Sequence, residues 1–169
     1  QKFLANTSGF DRATASQLMT VALAIMLFLQ PLAGRLSDKV GRRPVMIFFG
    51  VCGTLLTYPI FVALENTSSV GIAFALIMAA LVMVTGYTSI NAIVKAELFP
   101  AEIRALGVAL PYAIANAIFG GSAEYVALWL KNAGHERWFY IYISLLCAAY
   151  LIACLRMRET KTNSLILED

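Results

Sequence analysis

A chain of 169 residues that is 60% hydrophobic, with a mean hydropathy of +0.74 and only 14% charged side chains, has too few charges to cover a water-soluble core. The 13 Lys and Arg residues fall in clusters between long neutral stretches, which follows a membrane topology and gives no basic face for nucleic acid. A water-soluble domain is excluded, and the bilayer is the expected solvent.

Charge-free intervals run over 13–34, 44–64, 66–94, 105–123 and 138–155, each of 18 to 29 residues. A helix of about 20 residues crosses a hydrocarbon core of about 30 Å, so each interval reads as one span. None alternates in polarity as barrel strands do. The expected class is an all-α membrane protein with about five transmembrane helices, at about 17–34, 44–64, 70–94, 105–130 and 138–156.

In chain order, 1–16 lacks an initiator Met, an apolar signal core and a cleavage site, and reads as an outer loop following a helix upstream of this chain. The chain is thus expected to be part of a longer protein or a truncated product. The first span carries Gln30-Pro31 near its inner end, where proline removes an amide donor and predicts a bend. A basic loop, 35–43, leads to the second span, which Pro44 suits as a helix start. Gly34 and Gly41, seven apart, allow a tight turn, and Asp38 among four bases offers a local charge network.

The third span contains a polar run, 85–91, and the fourth carries Pro111, Asn116, Gly120, Gly121 and Glu124. The fifth is nearly free of polar groups, and the tail is 158–169. Spans one, three and four therefore hold the side chains that want water or a ligand, while two and five read as packing or lipid-facing elements. Gly86, Thr88 and Ser89 also fit plain helix-to-helix contact. Cys52, Cys147 and Cys154 sit within spans as small hydrophobes. His135 lies in an outer loop without an acidic cluster, so neither a metal site nor an enzyme is expected.

Nine Lys and Arg residues (Arg35, Lys39, Arg42, Arg43, Lys95, Arg104, Arg156, Arg158, Lys161) stand on one side against Lys2, Arg12, Lys131 and Arg137 on the other. The positive-inside tendency puts the first group in the cytoplasm, the N-terminus outside and the C-terminus inside.

Two inner loops carry a family pattern. Gly34-Arg-Leu-Ser-Asp38-Lys-Val-Gly41-Arg42-Arg43 resembles the G-x-L-x-D-x-x-G-R-R loop of the major facilitator superfamily, and Glu97-Leu-Phe-Pro100-Ala-Glu-Ile-Arg104 is similar to its E-x-x-P-x-x-x-R loop. Arg158-Glu159-Thr160-Lys161 looks like its P-E-T-K tail with arginine for proline. LANTSGF (4–10), LSDKVGRRP (36–44) and NAIFGGSAEYVALWLK (116–131) resemble the metabolite:proton symporter branch.

The resemblance implies a twelve-helix fold of which this chain would be helices eight to twelve, alternating access, and proton-coupled uptake of a dicarboxylate such as 2-oxoglutarate across the inner membrane. No cofactor other than the coupling proton is implied, and the expected partners are the carboxylate substrate, the missing N-terminal half and lipid. Another organic acid, a zwitterionic osmolyte, or an inactive remnant or structural subunit stand as alternatives.

Within that frame, Gln30, Tyr87, Asn91, Tyr112 and Asn116 are the candidate substrate ligands, with Lys95 at the inner mouth, because phenols and amides can hydrogen-bond carboxylate oxygens. Tyrosine at membrane level also serves as an interface anchor. Tyr112, Asn116, Gly120 and Glu124 are each four apart, and four residues overshoot a helical turn by about 40°. Tyr112 and Asn116 should share a face from which Glu124 is rotated. Glu124 is the only ionisable residue inside a span, either a proton-coupling or outer-gate group or a side chain reaching the interface. No Lys or Arg lies in a span interior, so the main cations for a dicarboxylate are expected from the other half. Gly34, Asp38, Gly41, Arg42, Arg43, Glu97 and Arg104 are the expected cytoplasmic gate.

Overall fold

The computed structural model describes residues 2–160, of Lys2 only the backbone. Lys161 and the rest of the tail beyond Thr160 lie outside the described residues. The helices are α1 Lys2–Asn6, α2 Arg12–Val40, α3 Arg42–Glu65, α4 Val70–Thr88, α5 Asn91–Glu97, α6 Ala101–Ala115, α7 Gly121–Asn132 and α8 Glu136–Arg156. A π-turn, Asn116–Gly120, joins α6 to α7, so these form one long element. Among the described residues, five stretches are long and apolar enough to cross a membrane: Arg12–Val40, Arg42–Glu65, Val70–Glu97, Ala101–Asn132 and Glu136–Arg156.

Helix limits and charge-free limits differ for a physical reason. Charges mark where hydrocarbon ends, but a helix satisfies its own backbone in either phase and continues until something stops it. Within the expected loop 1–16, Lys2–Asn6 is helical and α2 already starts at Arg12. There Asp11 caps α2, its carboxylate accepting the Ala13 N–H at 3.0 Å. At the other end α2 runs on through Pro31 and Gly34 to Val40. The expected loop 35–43 thus shrinks to one hinge residue, Gly41, at φ 103° and ψ 161°, a conformation open essentially to glycine. Gly34 takes no part in the turn. Its position is helical, and a side chain there would meet nothing within 4 Å.

The third span is interrupted at Ser89–Ile90, where Ile90 adopts φ −123° and ψ −9°. The polar run expected over 85–91 therefore ends one helix and starts another.

Packing centres on α3. Its face toward α8 is cut back to glycine where the two helices are closest: a Cβ on Gly50 would lie 3.0 Å from Leu151, and one on Gly53 would lie 3.0 Å from Cys147 Sγ. Two apolar clusters lock the remaining helices. Leu18 and Ala22 of α2, Ile60 and Leu64 of α3, and Ala73 and Ile77 of α4 fill one end. Val45, Met46, Ile90, Val94 and Cys154 fill the other. Tyr140 on α8 is wholly buried, stacked on Phe61 at 5.0 Å and edge-on to Phe3 at 5.9 Å. By contrast, no residue from Ala101 to Asn132 is buried.

Candidate functional site

A cavity of about 480 Å³ opens between α4–α5 and the α6–π–α7 element, lined by Tyr87, Lys95, Phe99, Tyr112, Asn116, Gly120 and the apolar residues between them. Tyr87, the last full turn of α4, is braced from behind: its ring stacks on Phe49 at 5.2 Å and meets Tyr150 edge-on at 5.5 Å. Such pairs hold a ring in one orientation. Asn91 stands one turn on and across the break, as the first residue of α5. Lys95 follows on α5, its ammonium 4.3 Å from the centre of the Tyr112 ring, a cation–π contact between α5 and α6. Phe99 closes the neighbouring wall. Three of its ring carbons lie within 2.9 Å of where a Cβ on Gly107 would stand.

The structure thus brings Tyr87, Tyr112 and Asn116 onto one cavity, with Asn91 beside Tyr87. Gln30 is half-buried on α2, away from these walls. Lys95 joins them: it lies in the stretch that continues the third span. Lys95 stands two residues before the end of that stretch, because α5 carries helix past the last neutral residue. One ammonium, two phenols and an amide around a space of this size can bind a small carboxylate.

A polar cluster occupies the Gly41 end. Arg42, 7% exposed, donates through Nη1 to Asp38 Oδ1 at 2.6 Å and to Ser37 Oγ at 3.2 Å, while its Nε lies 3.5 Å from Glu97 Oε1. Glu97, 6% exposed, accepts the Thr160 hydroxyl at 2.6 Å. Asp38 therefore pairs with arginine, and the free N-terminus of α3 is capped from the tail. Glu159 accepts the Arg42 N–H at 2.8 Å and the Arg43 N–H at 3.1 Å. Arg43 donates to the last carbonyls of α8, Leu155 O at 2.6 Å and Cys154 O at 3.4 Å. Arg104 ties the end of α5 to the turn after it, donating through Nε to Ala96 O at 3.2 Å and to Phe99 O, beyond the helix, at 3.0 Å. Five helices and the tail meet in this knot. Ser37, Glu159 and Thr160 were not among the expected gate residues; the P-E-T-K-like tail was the signal for the last two.

Glu124 lies elsewhere. It lines a second cavity of about 320 Å³ with Phe3, Asn6, Thr7, Lys131 and Glu136. Lys131 donates to Asn6 O and, at 2.9 Å, to Thr7 Oγ1, and Thr7 donates to Glu136 Oε1. Glu124 thus sits in an ionisable neighbourhood at the end of the bundle opposite Gly41. Among the described residues, no group of three or more His, Cys, Asp or Glu is placed to hold a metal ion.

Among the described residues, five apolar helices tied at one end by a buried ion-pair knot, with a cavity open between two of them, define a polytopic helical membrane protein. The profile of the Major Facilitator Superfamily matches residues 1–168, and the chain belongs to that family. It is 52% identical to the alpha-ketoglutarate permease of Escherichia coli (strain K12) over 95% of this chain and 38% of that protein. It is 31% identical to the proline/betaine transporter of Salmonella typhimurium over 88% of this chain and 30% of that protein. With the citrate-proton symporter of Klebsiella pneumoniae it shares 32% identity over 64% of this chain and 25% of that protein. The chain thus spans 38% or less of the length of these three relatives. No solved structure matches it.

Proposed function

We propose that this chain forms the last five helices of a proton-coupled carrier that takes up a dicarboxylate such as 2-oxoglutarate by alternating access. The observation that carries the reading is the convergence of Lys95, Tyr87, Tyr112 and Asn116 on one cavity. A dianion must be offset by cations when it leaves water, and Lys95 supplies one. The 52% identity to a protein named alpha-ketoglutarate permease supports the choice of solute. Tyr87, Asn91, Tyr112 and Asn116 are read as substrate ligands, with Gln30 a ligand only if the α2 face closes in during transport. Glu124 is the proton-coupling residue. Asp38, Gly41, Arg42, Arg43, Glu97 and Arg104 form the cytoplasmic gate, and Gly34 serves it as a helix residue.

In this reading the Gly41 end faces the cytoplasm of an inner membrane, as the nine-to-four split of Lys and Arg favours. The other helices and the remaining cation come from the N-terminal half. No cofactor beyond the proton takes part, and the protein is a carrier with no enzymatic step.

The test is uptake of labelled 2-oxoglutarate by the full-length carrier in proteoliposomes under an imposed proton gradient, with competition by citrate, shikimate, proline and betaine. Saturable, gradient-dependent uptake displaced best by dicarboxylates is expected. Displacement by betaine or proline alone would move the assignment to osmolytes, in line with the second relative. The five helices alone should show no saturable uptake.

A further inference from the structure

We infer that Gly120 is a positioning residue for substrate recognition: the missing side chain at 120, together with the π-turn, is what lets the Asn116 carboxamide occupy the cavity wall. The inference rests on the carrier reading above and adds to it a residue that binds nothing itself.

The turn Asn116–Gly120 is widened, with the Gly121 N–H donating to Asn116 O five residues back. Isolated π-turns within α-helices are uncommon and concentrate at functional sites. A wider turn rotates the chain less per residue, which offsets the overshoot that makes a four-residue stripe spiral in an ordinary α-helix. Tyr112, Asn116 and Gly120 consequently all line the Lys95 cavity, while Glu124 lines the other one.

Within this row the Asn116 amide lies over residue 120. A Cβ there would stand 2.7 Å from Asn116 Oδ1 and 3.4 Å from its Cγ; apart from its chain neighbours and the helix's own local backbone, no other atom lies within 4 Å. Glycine in a helix interior is costly relative to alanine. Residue 120 therefore forgoes helix stability at a point where an alanine would collide with one thing only, the movable end of the Asn116 side chain. Alanine at 120 would fold, and Asn116 would swing off the wall.

The experiment is a double-mutant cycle in the full-length carrier. Gly120→Ala is expected to melt in detergent at or above the wild-type temperature and to raise the KM for 2-oxoglutarate about tenfold, the scale of one lost hydrogen bond to a charged group. Asn116→Ala should raise it similarly, and Asn116→Ala/Gly120→Ala no further than Asn116→Ala alone. Effects that multiply, or a wild-type KM in Gly120→Ala, would overturn the inference and leave the carrier reading standing. Failure of Gly120→Ala to accumulate in the membrane, unrescued by Asn116→Ala, would also overturn it. Absence of saturable uptake in the wild type would remove the carrier reading and the inference with it.

Discussion

The carboxylate of Glu159 occupies the space that any side chain on residue 41 would need: a Cβ on Gly41 would lie 2.6 Å from Glu159 Oε2. The turn residue and the cap of the helix that follows it are therefore one device. Its two parts are separated by more than a hundred residues of chain.

Gly41→Ala should lose on both counts. The backbone at φ 103° and ψ 161° costs about 1–3 kcal/mol for a residue with a Cβ, and displacing Glu159 removes a cap of about 1 kcal/mol. A fall in melting temperature in detergent is expected, larger than that of Glu159→Gln, which keeps one acceptor. Equal melting of Gly41→Ala and wild type would disprove the coupling.

Arg42 and Glu97 are both buried, so removing one strands the other. Arg42→Met should destabilise by about 3 kcal/mol or more, and Arg42→Met/Glu97→Gln should recover a large part of it. Denaturant titration followed by tryptophan emission from Trp129 and Trp138 would read this. A double variant no better than the single would show that the pair contributes nothing.

Asp38 is the exposed end of the same network, 2.6 Å from Arg42. Asp38→Asn weakens the hold of α2 on α3 at the Gly41 end and should shift the carrier toward the state open at that end. Thiol labelling of cysteines introduced along the Lys95 cavity should rise from that side. Unchanged labelling would take Asp38 out of the gate.

How far the sequence speaks is visible in this knot. Charge spacing located five spans, and Asp38, Gly41, Arg42 and Glu97 were legible because their loop patterns are short and local. The Glu159 cap was not, since nothing in a window around 41 shows that a tail residue will reach it, and the tail match itself departed from pattern at Arg158. The break at Ser89–Ile90 and the π-turn were hidden for another reason. Both change which backbone groups pair, one within the polar run 85–91 and the other at Asn116–Gly120, and hydropathy is blind to that. Lys95 sat at the edge of a neutral interval, and only the continuation of helix through α5 carries it to Tyr112.

Lys95→Gln should raise the KM for 2-oxoglutarate by about tenfold or more, since hydrogen bonds to charged groups contribute about 1.5–3 kcal/mol. Tyr112→Phe keeps the ring face and should preserve the Lys95 contact, whereas Tyr112→Leu should not. A KM unchanged in Lys95→Gln would assign all charge recognition to other helices.

Glu124→Gln should abolish accumulation driven by a proton gradient and spare exchange of labelled for unlabelled solute, because the amide cannot cycle a proton. Measuring both modes on the same proteoliposomes separates them. Intact accumulation would leave Glu124 as a rim residue of its cavity.

The Phe99 ring pressed on the bare backbone of Gly107 has a mechanical consequence. With Arg104 tying the same short segment to the end of α5, the elbow between α5 and α6 is braced, and in the proposed alternating-access cycle the two helices should travel as one lever. The compliance that rocking demands is left to the unwound joint at Ser89–Ile90, so stiffening that joint should slow turnover without altering how tightly the solute is held.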